Sequence, residues 1–183
     1  MTNNQQLRSI AGHLAHLSPS SGQQSTPLNF AVGALLALTK AEQLNYPSLK
    51  SSDTRGLRMW GKAKGICLEI ERGRDLPMYG EWLSGYYFND GIIRIAVSYE
   101  HIVRHVTKLH GKELFKTLKK EGMRKGLRTE WASSWESVHK EVNRLKHQNL
   151  KFVDGPLLKY DQALQALDHL VYALKWGTKC RNR

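Results

Sequence analysis

Apolar residues return every third or fourth position over much of the chain, the period of a helix with one buried face. Ile92, Ile95, Ala96, Tyr99, Ile102, Val103, Val106 and Leu109 form one continuous stripe and predict a helix over about 82–109, the strongest in the sequence. LNFAVGALLALTKAEQL (28–44) is apolar nearly all round, with Pro27 suited to a first turn and Tyr46-Pro47 suited to a stop. Two more helices are expected. One spans about 128–147 with Trp131, Val138, Val142 and Leu145 inward, and the other about 158–176 with Leu164, Leu167, Leu170, Val171 and Leu174 inward. At 59–73 the signal is mixed. Ile66, Leu68 and Ile70 alternate as in a strand, while Leu57, Trp60, Lys64 and Leu68 fit a helical face; helix is preferred because no second strand with a tight turn follows. The fold expected is an all-α helical bundle of four to six helices without internal repeats.

The polar residues place the domain boundary. Residues 1–27 are rich in Gln, Asn, Ser and Thr, and SPSSGQQSTP (18–27) reads as a flexible linker. Before it, Leu7, Ile10, Ala11, Leu14 and Leu17 recur at helical spacing, so this segment is either a short docking helix or disordered. Residues 28–183 read as one helical domain, a size within the ~100–200 residues common for one domain.

Composition narrows the partner. The 183 residues include 28 Lys and Arg against 16 Asp and Glu, a formal net charge of +12 with a pI near 9.8. Such a balance points to a polyanion, nucleic acid before an anionic membrane surface. The N-terminus lacks a charged region followed by an apolar core, and no apolar run reaches the ~18–20 residues of a membrane span, so a soluble, cytoplasmic protein is expected. Cys67 and Cys180 lie too far apart in sequence for zinc spacing and form no disulfide framework.

Motifs for nucleotide or covalent chemistry are absent. The sequence contains no GxxxxGK[ST], GxGxxG or GxSxG. His101 and His105 stand at i, i+4, but HIVRH lacks the glutamate of a zinc-binding HExxH, and exposed histidines on a basic helix are the better reading. No cofactor or metal is expected.

The densest charge lies at 104–128. Arg104, Lys108, Lys112, Lys116, Lys120, Arg124 and Arg128 are basic at every fourth position, joined by Lys119 and Lys125 and opposed only by Glu113 and Glu121. Fourth neighbours on a helix are ~6 Å apart along its axis, so such a row can meet successive phosphates. Gly111, Gly122 and Gly126 are expected to cut it into a helix end, a short helix and a loop. A solvated face is the alternative, but this run is nearly of one sign, which favours a polyanion site. Trp131 and Trp135 follow; they could stack bases, although an i, i+4 pair opening an amphipathic helix more often joins the core.

On the predicted long helix, Asp90, Arg94, Val97, His101, Arg104, His105 and Lys108 share the face opposite the apolar stripe. Metal-independent RNA cleavage needs a base of near-neutral pKa and a cation at the phosphoryl centre, roles that suit His and Arg. Arg94 and His101, in RIAVSYEH, resemble the R-x4-6-H signature of the HEPN superfamily; Arg104 and His110 in RHVTKLH fit it too. YYFNDGIIRIAVSYEHIVRHV resembles an inner helix of such bundles and EVNRLKHQN (141–149) the end of their motif-bearing helix. The resemblance covers about 80–150 and implies a helical bundle, metal-independent ribonuclease activity in defence systems, and a homodimer with facing motifs. With His101 as base and Arg94 as charge stabiliser, Asn143 and His147 are the alternative site. There the chain departs from the pattern, since 140–142 holds Lys140, Glu141 and Val142 where an arginine is required. Trp135, His139, Asn143 and His147 form a column at i, i+4 that reads better as a polar seam between helices than as a site.

Three functions remain. Nucleic-acid binding without catalysis, with RNA favoured through the resemblance and a place in a ribonucleoprotein, defence or mobile-element complex, requires only the basic residues. A ribonuclease requires the Arg/His centre as well. A protein-interaction module would require an exposed stripe along 159–177, but Tyr160, Leu164, Leu167, Val171 and Leu174 are expected in the core.

Overall fold

The computed structural model describes residues 2–17, 26–44, 77–109, 111, 114–147 and 158–181, with the backbone alone at 77–84, 146, 147 and 181. These residues form six α-helices and no strand: α1 (Asn3–Ala15), α2 (Thr26–Gln43), α3 (Pro77–Thr107), α4 (Phe115–Arg124), α5 (Thr129–His147) and α6 (Tyr160–Arg181). The all-α bundle expected from the periodicity is the fold observed. The helix preferred at 59–73 lies outside the described residues, as do residues 18–25 of the linker.

The first segment forms the docking helix, one of its two sequence readings. Thr2 and Gln5 close a capping box, the Thr2 hydroxyl accepting from the Gln5 backbone N–H and the Gln5 side chain from that of Thr2. Leu7, Ile10 and Leu14 are buried in the common core. Asn3 donates from Nδ2 to the Glu42 carboxylate at 3.2 Å, tying α1 to the end of α2.

α3 is the element on which α2, α4, α5 and α6 pack, while α1 rests on α2 and α6. Its stripe from Ile92 to Val103 is fully buried, joined by Phe88, and only Leu109 and Val106 beyond or near its end are half-exposed. It starts at Pro77, earlier than the stripe indicated, with the proline in a first turn where its missing N–H costs nothing. α2 runs antiparallel to it at close range, with the small residues Ala31, Ala34 and Ala41 buried along α2 and Leu38 set against Gly91 of α3. A Cβ on Gly91 would lie 2.9 Å from the Leu38 side chain. Ser98 Oγ donates to the Pro27 carbonyl at 2.7 Å, which fixes the start of α2. The Tyr160 hydroxyl donates to the Leu38 carbonyl at 2.7 Å and fixes the start of α6.

α5 and α6 cover another side of α3. The Tyr99 ring is stacked with Trp135, centroids 6.0 Å apart and planes 16° apart, and its hydroxyl donates to the Ala166 carbonyl. Tyr160, Leu164, Leu167, Val171 and Leu174 of α6 lie in the core, as the sequence predicts, so they present no exposed stripe. Gly122 departs from its expected role. It does not interrupt the helix but sits inside α4, buried, where a Cβ would meet Val103 at 3.1 Å and Leu127 at 3.3 Å. Close approach to α3, not a break, is what requires a glycine there.

Two glycines should respond oppositely to substitution. Gly91→Val overfills the α2–α3 contact and should lower stability by about 1–3 kcal/mol. Gly12→Ala, in a helix interior with open space at the Cβ position, should raise it by about 0.5–1 kcal/mol. Thermal and urea unfolding of both variants would show the two signs; a neutral Gly91→Val would mean that α2 can retreat from α3.

Candidate functional site

The basic row is split by the fold. Arg104 is drawn into structure: Nε pairs with Glu100 at 2.9 Å, and one terminal nitrogen donates to the carbonyls of Gly111 at 2.8 Å and Leu109 at 3.4 Å. It thereby closes the C-terminal turn of α3, where Lys108 takes a left-handed φ of 60° that costs a non-glycine residue ~1–2 kcal/mol. Lys119 is half-buried and paired with Glu136, which also holds Lys140 at 3.1 Å. Arg124 pairs with Glu121 at 2.8 Å. Lys116, Lys120, Lys125 and Arg128 point outward, as do His105 and Lys108, while Lys112 and His110 lie outside the described residues.

On the polar face of α3, Arg94 and His101 both engage neighbouring side chains or backbone of the described residues. Arg94 is held by Asp90 at 2.8 Å and lies across Gly33 of α2, where a Cβ would come within 2.7 Å of the guanidinium. His101 stacks on Phe30 at 5.7 Å with planes 20° apart. Both therefore border α2, two helical turns or ~10 Å apart along α3.

The column on α5 divides as well. Trp135 is in the core, with Phe115 edge-on at 4.7 Å. His139 lies flat on Phe115 at 3.9 Å, and Asn143 Nδ2 donates to its Nε2 at 2.9 Å, the partly buried polar seam that the sequence favours. The side chain of His147 is outside the described residues. Beside this seam is an ion pair that the sequence reading did not single out. Glu141 is fully buried and Arg144 nearly so, bonded to one another within one turn. Its signal was Glu141 falling on the same inward face as Val138, Val142 and Leu145. Losing either partner of such a pair typically costs ~3–5 kcal/mol.

Outside the core, α5 and α6 meet along a seam whose surface has two parts. At one end Trp131 and Tyr172 lie near-parallel, 10° between planes and 6.2 Å between centroids. The Arg128 guanidinium sits 5.3 Å over the Trp131 ring and Lys175 Nζ 5.4 Å over Tyr172. This order of cation, aromatic, aromatic, cation is held by the adjoining corner. Trp176 Nε1 donates to the Lys125 carbonyl at 3.2 Å, and Gly126, at φ 101°, makes the turn that delivers Arg128. His13 of α1 approaches Tyr172 at 6.4 Å, with its Nδ1 buried and without a hydrogen-bond partner among the described residues. Tyr172 and Lys175 were not among the sequence candidates, because nothing in α6 indicates that Tyr172 meets Trp131.

Farther along the seam is a cleft of about 510 Å³ lined by small polar side chains of α5 and by Gln162, Gln165 and His169 of α6. Ser134 Oγ and His169 Nδ1 are hydrogen-bonded across it at 2.8 Å. Among the described residues no cluster of His, Cys, Asp and Glu could hold a metal ion, and no helix is long and apolar enough to cross a membrane. Compared with protein-family models, curated proteins and solved structures, the chain matches none.

Glu136 provides a titration test of the split row. Hydrogen bonds from Lys119 and then Lys140 hold its carboxyl below the usual glutamate range. Its contribution to stability is therefore present above the unfolded value of roughly 4.3 and lost as pH falls through the lowered folded value. Carboxyl-carbon NMR should give Glu136 a midpoint below that of free glutamate, and Lys119→Met should raise it. An unshifted midpoint in the wild type would release Lys119 to the exposed basic set.

Proposed function

We propose that this chain binds single-stranded nucleic acid, RNA foremost, along the α5–α6 seam, without cleaving it, as a subunit of a larger nucleoprotein, defence or mobile-element assembly. The observation that carries the reading is the Trp131–Tyr172 platform flanked by Arg128 and Lys175. Unpaired bases stack on aromatic faces at ~1–3 kcal/mol each, while flanking cations meet the phosphates on either side. Lys125 continues the positive surface at the corner, with Lys116 and Lys120 on α4. The preference for RNA comes from the resemblance of residues 94–101, since a stacking platform accepts unpaired bases of either sugar. Binding without cleavage is favoured by the positions of Arg94 and His101, which are engaged against Asp90, Gly33 and Phe30 along the flank of α2.

Fluorescence anisotropy with 12-nucleotide strands should show tighter binding to single strands than to duplexes. With four to six phosphates neutralised, log K against log salt should slope about −3 to −4, at ~0.7 per phosphate. Tyr172→Ala should weaken binding roughly 5- to 150-fold at unchanged slope. Arg128→Ala should reduce the slope by about 0.7. Equal affinity of wild type and Tyr172→Ala for every strand would remove the platform from the binding surface. RNA ending in 2′,3′-cyclic phosphate after incubation in EDTA, lost with His101→Ala, would replace binding by ribonuclease chemistry.

A further inference from the structure

We infer that the polar cleft beside the aromatic platform reads the identity of a neighbouring base and selects one bearing an exocyclic amine, such as adenine or cytosine, over uracil. The inference rests on the nucleic-acid reading of the platform and adds what the second half of the same seam recognises. Ser134 is three residues beyond Trp131 on α5, and His169 three before Tyr172 on α6, so the Ser134–His169 pair is the next rung of the seam. Three residues rise ~4.5 Å along a helix, comparable with the ~3.4 Å per nucleotide of a stacked strand. A base adjoining the one stacked on the platform therefore falls at the cleft.

The cleft's chemistry differs from that of the platform. Among the described residues that line it there is no Lys or Arg to hold a phosphate. Its volume of about 510 Å³ lies in the ~300–1,000 Å³ range of small-ligand sites. The space exists because α5 carries Ser133, Ser134 and Ser137 on this side, where larger and better helix formers would fill it. Opposite them, Gln162 and Gln165 supply amide donors and acceptors, and Glu130 adds a carboxylate that accepts only. Glutamine pairs with the N6 and N7 edge of adenine and a carboxylate accepts from the cytosine amine. Uracil lacks an exocyclic amine and can offer the carboxylate only its ring N3–H, and Glu130 would repel a phosphate displaced into the cleft.

The test compares rU12 with the same strand carrying one central adenine or cytosine. Wild type should bind at least one substituted strand about tenfold more tightly. Glu130→Gln, Gln165→Ala and Ser134→Ala should each reduce that preference, and the triple variant should bring it within about twofold. Gln165→Ala and Ser134→Ala should change affinity for rU12 by no more than about twofold, whereas Glu130→Gln, which removes a negative charge, should raise affinity for every strand alike. Equal wild-type affinity for all three strands, with Tyr172→Ala still weakening them, would overturn base reading and leave the platform standing. A preference that survives the triple variant would overturn it too. Absence of binding to any strand would overturn both.

Discussion

Tyr99 is the residue on which the arrangement of the helices turns. It is fully buried in the middle of α3, and one side chain meets two other helices, stacking on Trp135 of α5 and donating to the Ala166 carbonyl of α6. Burial, and then the charge of Asp168, push its ionisation well above the ordinary tyrosine range, so the hydroxyl remains a donor. The stacking is worth ~0.5–1.5 kcal/mol beyond the area it buries, but its larger consequence is geometric. With Trp135 turned in against Tyr99, Trp131 one turn earlier comes to the edge of the core, half-exposed and against Tyr172.

The same helix is approached closely on other sides by small residues. Gly91 admits Leu38, Gly122 lies against Val103, and Gly177 would place a Cβ 2.9 Å from Ile102. Interiors packed in this way leave little volume for a ligand between the helices. A cleft lies at the outer seam of α5 and α6, where α5 carries serines rather than bulkier residues. The aromatic pair and the polar cleft both lie where α5 meets α6, outside the packed core.

Charge is distributed by the same logic. A carbonyl-rich helix end attracts a cation, and Arg104 supplies it at the close of α3, partly neutralised by Glu100. Lys119 is taken by Glu136 and Arg124 by Glu121. Lys116, Lys120, Lys125 and Arg128 face outward, and Lys175 of α6 lies over Tyr172. That Arg128 and Lys175 come to adjoining rings of two helices is invisible to a count of charges along one.

Helix existence and inward faces could be read from periodicity because a 3.6-residue period with one apolar side has few other ways to be buried; this held for α2, α3, α5 and α6, and left the docking of Leu7, Ile10 and Leu14 as one of two choices. The charge of the chain and the density of cations at 104–128 were equally legible, since they are sums over residue types. Which cations face outward was not, because an ion pair such as Lys119 with Glu136 joins residues that only the antiparallel return of α5 brings together. Gly122 looked like a helix breaker because intrinsic propensity is local, whereas the need for a missing Cβ against Val103 arises across two helices. Trp131 and Trp135 looked equivalent at i, i+4; their different fates were decided by Tyr99 and Tyr172, on helices whose relative placement follows from packing the whole core at once.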